Sequence, residues 1–154
     1  YLRFGRPKVP NFTDDKSNFE IGKGILLNEG SDVTLIATGH LVWEAIQAAK
    51  EIKEQNIDVE VINIHTIKPL DDKIIIDSVK KTGCLVTAEE HNYIGGLGES
   101  ISGMLSKKHP TPQEFVAVND SFGESGTPGQ LMEKYGLNKK TIIQKIKKVI
   151  NRKI

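Results

Sequence analysis

Short apolar segments alternate with amphipathic segments along most of this chain, and that alternation restricts the possible folds more than any other feature. The segments "VTLIA" and "CLVTA" are mostly apolar and do not alternate cleanly between apolar and polar residues. Strands of this composition are typical of sheets that are buried on both faces. A repeated order of strand and helix indicates a parallel sheet that is covered by helices. The predicted fold class is therefore α/β.

The individual elements are predicted from hydrophobic spacing and from helix-capping residues. Strands are expected at residues 25–28, 33–38, 59–64, 84–88 and 115–118. Helices are expected at residues 40–55, 72–81 and 98–107, from Pro128 onward, and after Asn138. Asp71 and Thr127 are suited to N-cap two of these helices, and Pro128 would occupy the first helical position, where proline is favoured.

Size and composition are those of an ordinary globular domain. The chain has 154 residues, enough for one domain with a core of its own. No apolar run approaches the roughly 20 residues that span a bilayer, so no membrane association is expected. The one cysteine, Cys84, excludes an intrachain disulfide framework and a multi-cysteine zinc site, and a reducing, cytoplasmic location fits best.

The start of the chain has the composition of a linker. The stretch "RPKVPNFTDDKS" holds two prolines and shows no periodicity, so residues 1–20 are poor material for a core. The first residues, "YLRFGRPKVP", contain neither an initiator Met nor the apolar segment of a signal peptide. We therefore expect the chain to begin inside a longer polypeptide.

The C-terminal segment is strongly basic. Residues 138–154 hold seven lysines and arginines and no acid, whereas the rest of the chain holds 14 basic and 20 acidic residues. Such a segment can bind nucleic acid or an anionic membrane. The preferred interpretation is a docked helix with a solvated basic face, because apolar residues recur at helical spacing. These residues are Ile142, Ile143, Ile146, Val149 and Ile150. No nucleic-acid partner is expected.

Ligands of such sheets usually bind at the carboxyl ends of the strands. This rule singles out residues 38–40, 65–66, 89–98 and 119–126. A nucleotide cradle in "GGLGES" is disfavoured because Ile101 stands where the G-x-G-x-x-G pattern needs a glycine. Glycines in such a turn more often provide positive φ or close packing. A nucleophilic Ser125 is disfavoured because Thr127 stands where G-x-S-x-G needs a glycine.

Metal and acid–base chemistry are the other possibilities. The four histidines, His40, His65, His91 and His109, show no metal-ligand spacing, so no metal site is predicted. Cys84 is expected to be buried and inert. Glu89 or Glu90 could form an acid–base pair with His91. The preferred alternative is that Glu90 bonds backbone N–H groups of its own glycine turn or pairs across an interface. No catalytic residue is predicted.

Four stretches together resemble the C-terminal region of transketolases, particularly the bacterial and archaeal kind with split subunits. They are "GSDVTLIATG", "VINIHTIKPLD", "TAEEHNYIGGLGES" and "FGESGTPGQLMEKYGL", and they cover about residues 20–150 in the family's order. The resemblance implies a three-layer α/β/α sandwich with a five-stranded mixed sheet whose first strand is antiparallel. It divides the chain into residues 1–20, the end of a pyrimidine-binding domain and a linker, and residues 21–154, the C-terminal domain.

The resemblance also implies roles for particular residues. Arg6 is followed by Pro10 at the family's spacing, and in the family this arginine binds the phosphate of the sugar substrate, as a guanidinium can with two parallel bonds. Gly5 replaces the usual serine, and Arg3 is a nearby alternative. The stretch "EEHNYIGGLGES" is implied to be a structured turn at a packing surface, with these residues at an interface or in a structural loop: Glu90, His91, Gly95, Gly96 and Gly98.

The implied parent enzyme moves a two-carbon ketol unit between sugar phosphates. Thiamine diphosphate supplies the electron sink, and it is bound with magnesium by domains absent from these residues. This chain alone is expected to be inactive and to serve assembly in a homodimer or a split-subunit complex. Close alternatives are the C-terminal domains of 2-oxoacid dehydrogenase β subunits and of deoxyxylulose-phosphate synthase. Alternatives of another class are a Rossmann-like nucleotide binder and a free-standing interaction module.

Overall fold

The computed structural model describes residues 1–5, 8–14 and 17–153, and these form one sheet flanked by helices. The strands are β1 Ile25–Asn28, β2 Val33–Ala37, β3 Val59–Asn63, β4 Leu85–Asn92 and β5 Gln113–Val118. The helices are α1 Leu41–Lys53, α2 Asp72–Thr82, α3 Leu97–Lys108, α4 Pro128–Lys134 and α5 Lys139–Ile150. The predicted alternation of strands and helices is confirmed.

The sheet has five strands in the order β1-β3-β2-β4-β5. β1 runs antiparallel to β3, and all other neighbours run parallel. The predicted five-stranded mixed sheet with an antiparallel first strand is therefore confirmed. Parallel strands end on the same side of a sheet, so the residues that follow β2, β3, β4 and β5 lie together. We call this region the carboxyl end of the sheet.

The core consists of two apolar clusters, one on each face of the sheet. Successive side chains of a strand point to opposite faces. Leu35 of β2 accordingly packs in the cluster that includes residues of α1 and α5, and Ile36 packs in the cluster that includes residues of α2 and α3. Helices on both faces make this a three-layer α/β/α sandwich.

The helix starts follow the predicted capping residues. The Asp71 side chain accepts a hydrogen bond from Ile74 N at 3.4 Å. The Thr127 N–H donates to the Gln130 side chain at 3.0 Å, and proline occupies the first helical position. Asn138 caps α5 by accepting from Thr141 N at 3.0 Å. These side chains satisfy N–H groups that a helix leaves unpaired at its start.

The fourth strand is longer than predicted, and this changes the location of two candidate residues. β4 continues to Asn92 because it pairs with Val118 of β5 after an irregularity that follows Ala88. Glu90 and His91 therefore lie in a strand and not in the glycine turn. Apolar patterning could not reveal this extension, since the added residues are polar.

The basic face of α5 is largely exposed, as predicted, and part of it also forms ion pairs that the sequence did not indicate. The apolar stripe is buried as expected, but Lys145, Lys148 and Arg152 contact the carboxylate of Glu114, at 3.2, 3.0 and 2.6 Å. Glu114 lies in β5 and is only 6% exposed. Burial alone would raise the pKa of Glu114, but the hydrogen bonds from these three cations outweigh burial and lower it. The ion pairs fix α5 to the edge strand.

Part of the predicted linker contacts the domain. Phe12 is partly buried against the cluster that includes α1, and the ring of Phe19 lies 4.4 Å from the ring of His65. Phe12 and Phe19 are thus two points at which the predicted linker contacts the domain. The division into a linker and a domain at residue 20 stays a prediction.

Candidate functional site

The carboxyl end of the sheet brings together the four segments that the sequence singles out. Residues 38–40 follow β2, residues 65–66 follow β3, residues 89–98 span the end of β4 and the start of α3, and residues 119–126 follow β5. Since β2 and β4 are neighbours, the residues at their ends can touch. The contacts of the side chains in these four segments show which of them hold structure and which line a cavity.

Glu89 anchors the glycine turn from inside the fold. Its side chain is buried, at 3% exposure, and accepts hydrogen bonds from Leu97 N at 2.7 Å and Gly98 N at 2.8 Å. A carboxylate at this position pairs two unsatisfied donors of α3 and complements the positive end of the helix dipole. Among Glu89, Glu90 and His91, only Glu89 has a described side-chain hydrogen bond to the backbone of the turn. Glu99 also accepts from Gly95 N, and Asn92 accepts from Ile94 N.

The glycines of the turn serve conformation and close packing, as the sequence indicates. Gly95 has φ of +76°, which side chains rarely tolerate. A Cβ at Gly96 would overlap the Glu89 carboxylate. A Cβ at Gly98 would lie 2.5 Å from Cδ1 of Phe115. The turn therefore requires glycine at three positions for three different local reasons.

Glu90 points to the opposite face of β4 and pairs with His40. Glu90 Oε2 lies 2.8 Å from His40 Nδ1, and the two side chains are 43% and 19% exposed. The Glu90 carbonyl oxygen accepts a hydrogen bond from Arg3 Nη1 at 3.3 Å. Sequence reasoning placed both His40 and Glu90 at strand ends but did not predict this pair. Predicting the pair requires knowing that β2 and β4 are neighbours in the sheet, because His40 follows β2 and Glu90 lies in β4.

His91 and His65 do not take part in this pair. His91 is exposed, and its Nδ1 lies 2.7 Å from the Asn92 carbonyl oxygen. The suggested acid–base pair of His91 with Glu89 or Glu90 is therefore absent from the described contacts. His65 Nδ1 lies 2.9 Å from the Thr66 hydroxyl, while its buried Nε2 has no hydrogen-bond partner in the described structure.

A cavity of about 340 Å³ opens beside the His40–Glu90 pair. Its other walls come from β5, from the loop before α4, and from α4 and the turn after it, and they are mostly apolar. These residues are Val118, Gly126, Pro128, Leu131, Met132, Tyr135 and Leu137. The Tyr135 hydroxyl is directed to the Phe122 carbonyl oxygen at 3.1 Å. The cavity combines an apolar surface with one histidine–carboxylate pair.

The described residues give little support for metal binding, for a reactive thiolate or for nucleotide binding. No group of three or more His, Cys, Asp or Glu side chains among them could hold a metal ion. Cys84 is buried, and burial raises the pKa of its thiol to about 11, so thiolate is scarce near neutral pH. The first amides of α3 are already bonded to Glu89, which leaves them unavailable to a nucleotide phosphate.

The phosphate ligand suggested by the sequence, Arg6, lies outside the described residues. The alternative, Arg3, is described, and its guanidinium contacts the Glu90 carbonyl.

In the described part of the chain, none of the helices has both the length and the apolar composition that crossing a membrane requires.

The sandwich, its antiparallel first strand and the glycine turn anchored by an acid define a domain of the transketolase class. The family model described as "Transketolase, C-terminal domain" matches residues 22–142. This match covers well over half of the chain, which therefore belongs to the transketolase C-terminal domain family.

Individual proteins similar to this chain are also named as transketolases or their subunits. The 6-deoxy-6-sulfo-D-fructose transketolase subunit of Clostridium sp. (strain MSTE9) is 42% identical over 99% of this chain and 48% of that protein. An apulose-4-phosphate transketolase subunit of Phocaeicola vulgatus is 35% identical over 96% of this chain and 49% of that protein. A solved structure described as "Split gene transketolase, inactive beta4 tetramer" superposes with a TM-score of 0.94, at 41% identity, over 97% of this chain and 49% of that one. The chain thus spans about half the length of these three relatives.

Proposed function

We propose that this chain is the C-terminal part of a thiamine diphosphate-dependent transketolase that transfers a two-carbon ketol unit between sugar phosphates, as in the pentose phosphate pathway. The observation that supports this most is the likeness to transketolase subunits along nearly the whole chain, in sequence and in fold. A cytoplasmic location is part of the proposal. The free, buried Cys84 is consistent with a reducing compartment.

The role we assign to this chain is assembly, without catalysis by the chain alone. The acids at the carboxyl end of the sheet are engaged in holding structure: Glu89 bonds the start of α3, and Glu90 pairs with His40. The partners in the proposal are the other transketolase domains, in a homodimer or in a complex of split subunits. The relatives named as subunits support such an assembly.

Thiamine diphosphate supplies the electron sink of ketol transfer when it is bound. Two observations support leaving the cofactor's diphosphate and magnesium to other domains. No group of three or more His, Cys, Asp or Glu side chains among the described residues could hold a metal ion, and the first amides of α3 are bonded to Glu89. The proposal therefore assigns both to other domains of the full enzyme.

Arg6 is the one residue of this chain that we propose to contact substrate. A guanidinium binds phosphate oxygens with two parallel hydrogen bonds, which suits a sugar phosphate. The contact of Arg3 with the Glu90 carbonyl supports Arg6 over Arg3 as the phosphate ligand, since Arg3 already has a structural partner.

The test is ketol transfer by the complete enzyme, meaning this chain with the domains or subunit that accompany it. The assay contains thiamine diphosphate and magnesium, with xylulose 5-phosphate as donor and ribose 5-phosphate as acceptor. We expect transfer that depends on the cofactor. Arg6→Ala is expected to raise the KM for the phosphorylated donor, while the matched variant Arg3→Ala has a smaller effect.

Two outcomes would contradict the proposal. A complete enzyme that decarboxylates 2-oxoacids or condenses pyruvate with a triose phosphate, without ketol transfer, would place the chain with the related thiamine enzymes. Saturable nucleotide binding by a protein that has no thiamine-dependent activity would favour a nucleotide-binding module.

A further inference from the structure

Exposed apolar side chains collect at the carboxyl end of the sheet. Eleven large apolar side chains of the described residues are exposed, and nine of them belong to segments at this end, Val9 and Leu26 being the other two. The nine lie at residues 1–4, 19–21, 67, 93–94 and 122, and we call them the apolar end surface. Scattered exposed apolar residues need no explanation, but a group on one side of a domain marks an interaction surface.

The start of the chain lies on this surface. Arg3 Nη1 donates to the carbonyl oxygen of Glu90, in the last part of β4, at 3.3 Å. Gly5 lies so close to His40, just after β2, that a Cβ at position 5 would overlap the imidazole ring. Residues 1–5 thus contact the ends of two neighbouring strands, and the apolar side chains among them are largely exposed beside these contacts.

The other members lie at the ends of the remaining parallel strands. The ring of Phe19 is 4.4 Å from the ring of His65, just after β3, and Gly22 N donates to the Thr66 hydroxyl at 3.2 Å. These contacts hold residues 19–22 at the end of β3. The members in the segments that follow β3, β4 and β5 are Ile67, Tyr93, Ile94 and Phe122. The apolar end surface therefore extends across the ends of all four parallel strands.

The opposite end of the sheet shows no such group among the described residues. Residues 29–32 and 54–58 precede β2 and β3 there, and their exposed side chains are polar. These side chains are Glu29, Ser31, Glu54, Gln55 and Asn56. Apolar exposure is therefore a property of one end of the domain and not of its loops in general.

Phe122 has the geometry of an interface anchor. Its side chain is 96% exposed. Its carbonyl oxygen accepts a hydrogen bond from the Tyr135 hydroxyl at 3.1 Å, and Glu124 of the same loop pairs with Lys134 of α4. The loop is thus attached to α4 while the ring faces solvent. An aromatic side chain whose backbone is already held loses little freedom on binding, and aromatic residues are frequent anchors of interfaces.

The path of the chain indicates what covers this surface. In the proposed transketolase, further sequence precedes residue 1, and this chain spans about half the length of the named relatives. A domain joined to Tyr1 is held beside the apolar end surface by its own connection, so its effective concentration there exceeds that of a free partner. The exposed apolar side chains of residues 1–4 lie at this junction.

We infer that the apolar end surface is the docking site of the pyrimidine-binding domain that precedes residue 1 in the proposed transketolase, with Phe122 as an anchor. The inference rests on the proposed function, because that function supplies the preceding domain. It adds a specific surface to the proposed assembly role and gives the polar opposite end no part in docking.

Thiol accessibility in the complete enzyme tests whether the surface is covered. Phe122→Cys and Ile94→Cys are each treated in the native state with N-ethylmaleimide, and the labelling rate of the introduced thiol is followed by peptide mapping. Ser31→Cys is the matched control, since Ser31 is exposed in a loop at the opposite end. The natural Cys84 is buried and reports any unfolding of the domain. Every variant is also assayed for ketol transfer.

A photoreactive side chain identifies the occupant. Phe122→p-benzoylphenylalanine keeps an aromatic ring at this position, and irradiation of the complete enzyme joins that ring to its neighbour. Peptide mapping then identifies the captured segment.

We expect the thiols of Phe122→Cys and Ile94→Cys to be labelled at least about tenfold more slowly than that of Ser31→Cys, because they react only when the docked domain opens. Cys84 should stay unlabelled throughout. Irradiation should join position 122 to sequence that precedes residue 1.

The failure of this inference differs from the failure of the proposed function. If both introduced thiols react as fast as that of Ser31→Cys while Cys84 stays unlabelled, the surface is open and the inference is wrong. Fast labelling of Phe122→Cys alone would overturn its role as an anchor. Capture of a segment within residues 1–154, of a separate subunit or of nothing would overturn the assigned occupant.

Ketol transfer by the same preparations would leave the proposed function intact in each of these cases. Conversely, capture of preceding sequence by an enzyme without ketol transfer would contradict the proposed function and leave the docking surface standing.

Discussion

Two buried carboxylates in neighbouring strands are stabilised in different ways. Glu89 of β4 is 3% exposed and accepts from two backbone N–H groups at the start of α3. Glu114 of β5 is 6% exposed and accepts from the side chains of Lys145, Lys148 and Arg152. The first fixes a turn at the carboxyl end of the sheet, and the second fixes the terminal helix to the sheet's edge.

The difference lies in what the partners can do when the acid is removed. The amides of Leu97 and Gly98 belong to buried residues at a helix start, so they cannot turn to water. The side chains of Lys145, Lys148 and Arg152 are 32%, 61% and 48% exposed, so they can rehydrate. Loss of Glu89 should therefore cost more stability than loss of Glu114, although Glu114 has more partners.

The largest effect is expected for Glu89→Ala. The substitution leaves two buried donors without an acceptor, and we expect the free energy of unfolding to fall by about 2–4 kcal/mol. Glu90→Ala is the adjacent control; its half-exposed pair with His40 should contribute no more than about 1 kcal/mol. Denaturant titration of both variants measures this. Equal losses in the two variants would contradict the assignment of Glu89 as the anchor.

Glu114→Gln should have a smaller effect. The amide keeps one acceptor for the α5 cations but loses the charge, and the cations can return to solvent. We expect a loss of about 1–2 kcal/mol in the free energy of unfolding. Glu124→Gln removes one member of an ion pair whose side chains are both more than half exposed, and it should give no measurable change. A larger loss for Glu114→Gln than for Glu89→Ala would reverse the comparison.

The contribution of Glu114 should depend on pH in a defined direction. Its pKa is lowered in the folded chain, so its ion pairs stabilise the fold fully above the ordinary glutamate pKa of 4.5. The contribution is lost as the pH falls from there through the lowered folded value. The difference in unfolding free energy between the parent chain and Glu114→Gln should therefore be constant at neutral pH and shrink below about pH 4.5. A difference that grows on acidification would contradict this sign.

Salt should produce the smallest effect. Because the three cations are partly exposed, 1 M NaCl should reduce the difference between the parent chain and Glu114→Gln by about 0.5 kcal/mol. The difference between the parent chain and Glu89→Ala should not change, since that carboxylate meets only buried amides. An equal salt response for the two would mean that Glu89 also relies on exposed charges.

Whether a contact can be predicted from the sequence depends on how far apart its partners lie along the chain. Partners within one motif could be anticipated: an acid that bonds the glycine turn was predicted, but as Glu90. The choice between adjacent acids depends on how far β4 extends, because successive residues of a strand face opposite sides. That extension is set by renewed pairing with β5 after an irregularity, which no apolar pattern records.

Contacts between distant segments were not predictable in this way. Glu114 and its cationic partners are separated by 31 to 38 residues, and the lysines could be read only as a solvated face. The His40–Glu90 pair requires that β2 and β4 be neighbours, which an alternation of strands and helices does not specify. By contrast, buried strands and capping residues are local signals, and both were predicted near their observed positions.

The most direct test of the account is ketol transfer by the purified 154-residue chain, assayed beside the complete enzyme. Both assays contain thiamine diphosphate, magnesium, xylulose 5-phosphate and ribose 5-phosphate. The account predicts transfer by the complete enzyme and none above background by this chain, since its residues serve packing and phosphate binding. Transfer by this chain alone would contradict the central claim, and its catalytic groups would then have to be sought in the cavity beside His40 and Glu90.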